Sequence, residues 1–528
     1  MSYSVHVHTP DPQSSDPATA STARTGNRAA YGRILALALP TFGQLIAEPT
    51  FVLIDTAIVG HIGVSALAGL SIGSTIILTA VGLYIFLAYS TTAQVAHLLG
   101  AGRRREGLQA GIDGLWLALG IGIVLAAALF AGARPLCVAL RGTGETLDQA
   151  VAYTQAVVLG APGMLLVYAA NGIFRGLQKV RITLVAAVCG AVLNTMLDVL
   201  FVFGFGWGIA GSGAATMIAQ WFMGLFLTVP AVLWAKADGA ALRPRLSGIA
   251  AAGGDGLPLF IRTLAIRAAM VMTVASAARL GTTVLAGFQA VNSSWNFAMN
   301  MLDSVGIAGQ TLVGAAMGAG DRARTLRLTR ATGRAGLAAG AAIGCGFAVA
   351  GLFIGRLFSP NPHVQLLVAA GMVTMGAFLP LQGWMMALDG ILIGARDFRY
   401  LAITCTLTAT VYIALTAICV DAAAPMLPGD LASTVLLWAM FNIVLMGAAA
   451  ACSMACAYAA NHGSVRPPSN DRPATALAAL RNTHLDIAFA SAEHHMIMAS
   501  APEDGRRHAE GDSAPNQMTS EYSQISKA

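Results

Sequence analysis

Long apolar segments, separated by short polar turns, run through the chain from residue 34 to residue 460. Each segment exceeds the ~20 helical residues that cross a bilayer core of about 30 Å. The segments are uniformly apolar, whereas the strands of a membrane β-barrel would alternate apolar and polar residues. We therefore predict an all-α polytopic membrane protein. Its twelve transmembrane helices are predicted at residues 34–58, 66–96, 109–132, 149–174, 182–205, 210–235, 257–279, 284–316, 327–355, 364–388, 398–420 and 431–459.

Composition agrees with this prediction, and charge gives the chain an orientation. Of 528 residues 56% are hydrophobic and 11% charged, against about 25% charged in soluble proteins. Lys and Arg collect in alternate loops, sixteen on one side of the membrane and four on the other. The positive-inside rule then predicts that both termini are cytoplasmic, in the inner or plasma membrane of the cell. The net charge of +6 is thus an orientation signal, and no nucleic-acid partner is expected.

Five landmarks recur at a constant offset of 218 residues, which indicates a tandem duplication. They pair Leu39-Pro40 with Leu257-Pro258, Gly63–Gly69 with Gly281–Gly287, Gly100–Gly102 with Gly318–Gly320, Asn171-Gly172 with Asp389-Gly390, and Arg181 with Arg399. Six helices per copy predict two bundles related by a pseudo-two-fold axis along the membrane normal, with a cleft between them. We assign residues 1–32 to a disordered cytoplasmic tail, 33–235 to the N-terminal bundle, 236–256 to a cytoplasmic linker, 257–460 to the C-terminal bundle and 461–528 to a mostly disordered cytoplasmic tail.

Prolines occur at matched positions early in spans one and seven. Pro40 and Pro258 are therefore candidate hinges of helices that line the cleft. The alternative is that they are ordinary transmembrane prolines, which are common.

Ionisable side chains within the spans are candidate binding residues, because a charge in hydrocarbon costs several kcal/mol. Asp55 follows Glu48 by two turns in span one, and Asn194 and Asp198 share a face of span five. Thr216 in span six could add a hydroxyl. These oxygens suit a carboxylate that takes up a proton, or a site for a small hard cation. Alternatively, Asp55 is solvated at a helix end and Asp198 makes a structural hydrogen bond.

The C-terminal copy carries basic side chains instead. Arg262 and Arg267 in span seven are predicted to form interhelical salt bridges with Asp303 or Asp389, because an arginine would repel a cationic substrate. Asp389 could instead be a helix-terminal charge. Seven scattered cysteines lack the spacing of a metal site, so neither a metal nor a cofactor is expected.

Four motifs resemble the multidrug and toxic compound extrusion (MATE) transporters, most closely their DinF-like branch. They are Ala47-Glu48-Pro49 followed by Ile54–His61, Asn194 with Leu197-Asp198, Leu302-Asp303 before Gln310, and Leu388–Asp397. The resemblance implies a secondary antiporter that exports hydrophobic, often cationic compounds in exchange for protons or sodium. It also implies that Asp55, Asn194, Asp198 and Thr216 form the coupling site.

The chain departs from some branches of that family, which carry an acidic cation site on spans seven and ten. Arg262, Arg267 and Gln382 occupy these spans here, which favours coupling to protons through the N-terminal half. We expect amphipathic small-molecule substrates, contact with membrane lipids and a monomer.

Two other functions are compatible with the sequence: a flippase for lipids or lipid-linked sugars, and a membrane scaffold or sensor. An enzyme is not expected, because no nucleophile–base pair or phosphate loop stands out.

Overall fold

The computed structural model describes residues 17–423 and 429–452, and each predicted span that falls within these residues is helical. The helices are α1 Pro17–Gly60, α2 Val64–Gly82, α3 Phe86–Gly100, α4 Arg104–Ala139, α5 Gly144–Val158, α6 Ala161–Gly176, α7 Val180–Val199, α8 Gly208–Ala237, α9 Leu246–Leu280, α10 Thr282–Gly318, α11 Arg322–Phe358, α12 Pro362–Gly394, α13 Phe398–Ala423 and α14 Asp430–Met440. Short π-helical segments, Leu200–Gly204 and Phe441–Gly447, follow α7 and α14. The described residues contain no β-strand, and the all-α prediction is confirmed.

Membrane-crossing helices account for nearly all of this structure. Within the described ranges, ten helical segments are long and apolar enough to cross a membrane, one of them being α2 and α3 together. The pair α5 and α6, bent by 46°, forms an eleventh. The remaining predicted span, 284–316, corresponds to α10, which has sufficient length but carries polar side chains along one face. The chain is therefore a multi-pass membrane protein with the predicted two-bundle, twelve-helix architecture.

The duplication is visible where α3 and α10 cross. A Cβ atom at Gly100 would lie 1.9 Å from the carbonyl oxygen of Ala315, and one at Gly318 would lie 1.9 Å from that of His97. His97 and Ala315 are themselves separated by 218 residues, so the two contacts are one contact repeated by the pseudo-two-fold axis. Only glycine permits this approach of two backbones. We call the end of the bundle that holds this crossing and the loops 101–103 and 319–321 the basic end, and the opposite end the far end.

A hydrophobic cluster joins the two halves near the basic end. Ile34 and Leu37 of α1 pack with Ala308 and Leu312 of α10 and are almost fully buried. Separate clusters form the cores of the N-terminal and C-terminal halves. The halves are thus closed against each other at the basic end.

Several predicted boundaries and breaks differ from the structure. Helix α1 begins at Pro17, so residues 17–32 are helical although a disordered tail was predicted, and α9 begins at Leu246, inside the predicted linker. Helices α1 and α9 continue through Pro40 and Pro258, so the hinge role of these prolines stays a prediction. Breaks in the α-helical pattern lie at residues 83–85 and 159–160, both in the N-terminal half, where bonds to the i−3 carbonyl interrupt it. The predicted tail 461–528 lies outside the described residues.

Candidate functional site

Asp55 of α1 reaches into the core of the N-terminal half. The residue is 3% exposed. Ser212 of α8 donates a hydrogen bond to its Oδ1, and the Tyr153 hydroxyl of α5 donates to its Oδ2 at 3.4 Å. The Tyr153 hydroxyl also accepts a hydrogen bond from Ser74 of α2 at 3.4 Å. Asp55 is therefore a buried group held by neutral donors, and the alternative of a solvated helix end is wrong.

Asn194, Asp198 and Thr216 meet where α7 packs against α8. Asn194 and Asp198 are fully buried and Thr216 is 5% exposed. In the amide orientation that satisfies all its partners, Asn194 Nδ2 donates to Asp198 Oδ2 at 2.8 Å. Its Oδ1 then accepts from the Thr216 backbone N at 3.2 Å and from Oγ1 at 3.3 Å. Among the described residues, Asp198 Oδ1 has no hydrogen-bond partner. The i, i+4 spacing in α7 thus places an amide beside a carboxylate, as predicted.

The two carboxylates belong to one cluster, since Asp55 and Asp198 interact electrostatically and Tyr153 is close to both. The ion pairs found in the described part of the chain all involve other carboxylates. Two carboxylates at one buried site repel each other when both are charged, so a bound cation stabilises the site. Apart from the Asn194 amide nitrogen, the polar side-chain atoms of the cluster are oxygens, which suit a proton or Na⁺.

A cavity lies next to this cluster. Its wall includes Ala191 of α7 and Gln220 of α8, each about one turn nearer the basic end than Asn194 and Thr216. Gln44, Asn171 and Tyr168 add polar groups, while Met164 and Met223 add flexible apolar surface. Apolar walls with a few polar groups are typical of small-molecule sites, and methionine adapts to ligands of different shape.

A second polar network lies between the halves. Arg262 of α9 forms an ion pair with Asp389 of α12 at 2.6 Å, with both side chains mostly buried. Asp303 of α10 accepts a hydrogen bond from the Tyr89 hydroxyl of α3 at 3.1 Å. Arg175 of α6 is 4% exposed, donates to Gln44 at 3.2 Å and interacts electrostatically with Asp303. One predicted salt bridge is therefore present, and the others are not.

Arg267 is the residue for which the salt-bridge prediction is wrong. It is exposed, and in the described part of the chain it pairs with neither Asp303 nor Asp389. The physical reason is geometric, since Arg262 faces α12 and α13 whereas Arg267, 140° further around the helix by its five-residue spacing, reaches Gly82 of α2. The side chain of Glu48 lies outside the described residues.

Six residues of these networks escaped the sequence prediction: Ser212, Tyr153, Arg175, Ser74, Tyr89 and Gln44. Ser212 precedes Thr216 by four residues, so the shared helix face was a signal that could have identified it. Tyr153 and Arg175 are brought in by tertiary packing, which no local pattern reveals. Among the described residues, no group of three His, Cys, Asp or Glu side chains could hold a metal ion.

Comparison with known proteins identifies the family. The MatE family model matches residues 40–200 and again 258–418, and both ends of the two matches are 218 residues apart. The chain is 28% identical over 390 residues to Protein DETOXIFICATION 44, chloroplastic, of Arabidopsis thaliana, covering 70% of this chain and 73% of that protein. It is 28% identical over 369 residues to DNA damage-inducible protein F of Escherichia coli, covering 68% and 79%.

Solved structures share the fold. An outward-facing multidrug resistance MATE transporter superposes with a TM-score of 0.72 at 20% identity, covering 80% of this chain and 94% of that one. The Vibrio cholerae MATE transporter VcmN in its bent form gives a TM-score of 0.73 at 19% identity, covering 82% and 98%. Because the family model accounts for more than half of the residues and repeats at the offset of the duplication, the chain belongs to the MatE family, the multidrug and toxic compound extrusion transporters.

Proposed function

We propose that this protein exports amphipathic compounds in exchange for protons, which bind at the cluster of Asp55, Asn194, Asp198, Ser212 and Thr216. The observation that carries the proposal is a pair of buried carboxylates without basic partners, beside a cavity in the same half. Binding of one cation stabilises such a pair, whereas two negative charges without a cation at the same buried site destabilise it. A cluster that binds and releases a proton can thereby bias the packing of α1 against α7 and α8.

The Asn194 amide supplies a switch in this cluster. When Asp198 is charged, Asn194 Nδ2 donates to its Oδ2 at 2.8 Å. When Asp198 is protonated, a reversed Asn194 amide would accept from its hydroxyl through the amide oxygen, so the amide can bond to either form of the carboxylate.

Protons are favoured over sodium because the positions of the C-terminal half equivalent to the acidic cluster hold Thr273, Tyr412, Thr416 and Thr434, none of which carries a carboxylate. Gln382 of α12 donates to Asn442 and accepts from Trp295 Nε1 at 2.9 Å. It lies in the span where some branches of the family carry an acidic residue. It is a satisfied neutral group. Sodium binding at the oxygens of the N-terminal cluster is the alternative.

The basic end is proposed to be cytoplasmic, since Lys and Arg concentrate in its loops. The contacts of α3 with α10 then close the cytoplasmic side, and the cleft faces outward. A flippase would use a basic central cavity, and the ion pair of Arg262 with Asp389 does not favour it.

The experiment is transport by the purified full chain in proteoliposomes. Efflux of a fluorescent amphipathic dye is followed under a pH gradient without Na⁺, and then under a Na⁺ gradient without a pH difference. We expect transport with the pH gradient alone. Transport with the Na⁺ gradient alone would overturn proton coupling, and dye-independent movement of labelled lipid would favour the flippase.

Ser212 provides a finer test of the cluster. Ser212→Ala removes a hydrogen bond to a charged acceptor, a type of bond worth about 1.5–3 kcal/mol, and is expected to slow proton-driven transport. The matched control is Ser276→Ala in α9, a fully buried serine whose hydroxyl has no partner among the described residues. Equal transport by both variants would exclude Ser212 from the coupling site.

A further inference from the structure

A row of polar side chains follows one face of α10. Gln289, Ser293 and Asn296 are exposed, and Asn300 and Asp303 continue the row with partial burial. Their spacing of four, three, four and three residues places them on one helix face. At the matched positions of the N-terminal copy the row reads Ser71, Thr75, Leu78, Gly82 and Ile85, which is much less polar. The polar row is thus a property of the C-terminal half.

This face of α10 is directed at the other half of the molecule. Toward the basic end it continues to Ile307, which is 2% exposed, and to Gly314, where a Cβ atom would lie 3.6 Å from Ala96 of α3. One face of α10 therefore packs on the N-terminal half near the basic end, and the same face is exposed nearer the far end. Exposed carboxamides do not face lipid hydrocarbon, because their hydrogen-bonding groups would be unsatisfied there. The row lines the cleft.

Arg267 lies beside this cleft at the depth of Asn296, in the middle of the polar row. Helices α9 and α10 are antiparallel and joined at Gly281, which Arg267 precedes by 14 residues and Asn296 follows by 15. Both residues are thus about 21 Å from the far end of their helices. The Arg267 Nη2 atom would lie 3.2 Å from a Cβ atom at Gly82 of α2, so the side chain spans the gap between the two halves.

Arg267 is not neutralised, unlike Arg262. Across residues 17–423 and 429–452, the ion pairs with a carboxylate within 4.0 Å include Arg262 but not Arg267. A charged side chain near mid-membrane costs several kcal/mol and persists where it faces water or binds a ligand. A structural role is the competing explanation: Gly82 ends α2, and a cation stabilises the negative end of a helix dipole by about 0.3–1 kcal/mol.

We propose that Arg267, with Gln289 and Asn296, binds an anionic group of the exported compound, such as a carboxylate, sulfonate or phosphate. The guanidinium donates two parallel hydrogen bonds to such a group, and the carboxamides donate further ones. The inference rests on the proposed export function and narrows its substrates to amphipathic compounds with an acidic group. It departs from the cationic substrates that the family resemblance led us to expect.

The test compares two derivatives of one fluorescent dye, one carrying a sulfonate and the other a quaternary ammonium group. Transport by the full chain in proteoliposomes is measured for wild type, Arg267→Gln and Arg267→Lys. We expect Arg267→Gln to raise the KM of the sulfonated dye about tenfold, equivalent to about 1.4 kcal/mol, without weakening transport of the ammonium dye. Arg267→Lys should keep part of the affinity. Arg105→Gln, in an exposed basic segment of α4, is the matched control and should change neither KM.

Two further measurements separate the possible outcomes. Fluorescence anisotropy of the sulfonated dye with protein in neutral detergent reports binding without any gradient, so binding lost in Arg267→Gln supports the inference even where proton coupling fails. Movement of a fluorescent anionic phospholipid between leaflets, dependent on Arg267, would identify a lipid headgroup as the source of the anion. Equal effects of Arg267→Gln on both dyes, together with a lower unfolding temperature, would overturn the proposal in favour of the helix-end role.

Discussion

The two halves of the molecule differ most at the positions that the duplication makes equivalent. Asp55, Asn194, Asp198 and Thr216 correspond to Thr273, Tyr412, Thr416 and Thr434, and all eight are buried. In the C-terminal half the Tyr412 hydroxyl meets Thr273 Oγ1 at 2.8 Å. A neutral hydrogen bond thus occupies the place of the acidic cluster.

The packing around these positions also differs between the two halves. Trp438 stacks on Phe288 with centroids 4.8 Å apart, and Trp295 meets Phe441 edge-on at 5.2 Å. Aromatic rings pack around these positions in the C-terminal half, whereas a cavity lined by Gln44, Asn171 and Gln220 lies beside the carboxylates of the N-terminal half. The helix breaks at residues 83–85 and 159–160 also belong to the N-terminal half, while their counterparts α10 and α12 are continuous. The C-terminal copy thus has the more continuous helices, and the N-terminal copy holds the buried acids and the two helix breaks.

Neutralising the acidic cluster should have the largest effect. We expect the double variant Asp55→Asn with Asp198→Asn to lose proton-driven dye efflux, because two amides cannot exchange a proton near neutral pH. The protein should remain folded, since an amide replaces each carboxylate at similar volume. Efflux from proteoliposomes under a pH gradient measures the loss.

The matched control for this loss lies in the other half. Thr273→Val with Thr416→Val removes two buried hydroxyls at the equivalent positions, so transport should persist. If the aspartate variant pumps as well as wild type, or the threonine variant also fails, the division of roles between the halves is wrong.

The buried ion pair of the C-terminal half is the next contrast, because it neutralises Asp389, whereas Asp55 and Asp198 of the N-terminal half have no basic partner among the described residues. Arg262→Gln leaves Asp389 buried without its partner at 2.6 Å, and breaking such a pair costs about 3–5 kcal/mol. Thermal unfolding in detergent should show the loss. Adding Asp389→Asn should restore most of the stability, and failure of that rescue would mean that Arg262 acts through other contacts.

Sequence patterns predicted the helices and the duplication because both depend on local composition and constant spacing. They placed Asn194 and Asp198 together because a four-residue spacing fixes a shared helix face. Tyr153 and Arg175 join their networks through packing of distant helices, so periodicity gave no sign of them. The partner of Arg262 depended on which face of α9 meets α12, and the same geometry left Arg267 unpaired. The breaks at 83–85 and 159–160 contain no proline, and they were missed for that reason.

The two halves are equivalent where α3 and α10 cross at Gly100 and Gly318, and substitutions there test this equivalence. Gly100→Ala and Gly318→Ala each put a methyl group 1.9 Å from a carbonyl oxygen, and such overpacking costs about 1–3 kcal/mol in the closed arrangement. Both variants should open the basic end to a similar extent. Thiol labelling of Leu312→Cys, at an almost fully buried position, measures this in a background without native cysteines.

Gly120→Ala in α4 is the control, since no atom lies within 4 Å of the added methyl group. It should leave labelling unchanged. If only one of Gly100→Ala and Gly318→Ala opened the basic end, the symmetry of the contact would not extend to the opening of the two halves.

The smallest expected effect concerns two tyrosines, one in each half. Tyr412→Phe removes one neutral hydrogen bond, worth about 0.5–1.5 kcal/mol, and Thr273 Oγ1 remains bonded to Ala269 O at 2.8 Å. Transport should therefore be unchanged, with a slightly lower unfolding temperature. Tyr153→Phe removes a similar hydroxyl, but one directed at Asp55, and should alter the dependence of transport on pH. The two substitutions delete the same atom from the same residue type. A difference between their pH profiles therefore isolates the contribution of Asp55 to the pH dependence of transport. Equal shifts of both profiles from that of wild type would mean that the C-terminal hydroxyl also contributes to coupling, whereas two unshifted profiles would exclude the Tyr153 hydroxyl from it.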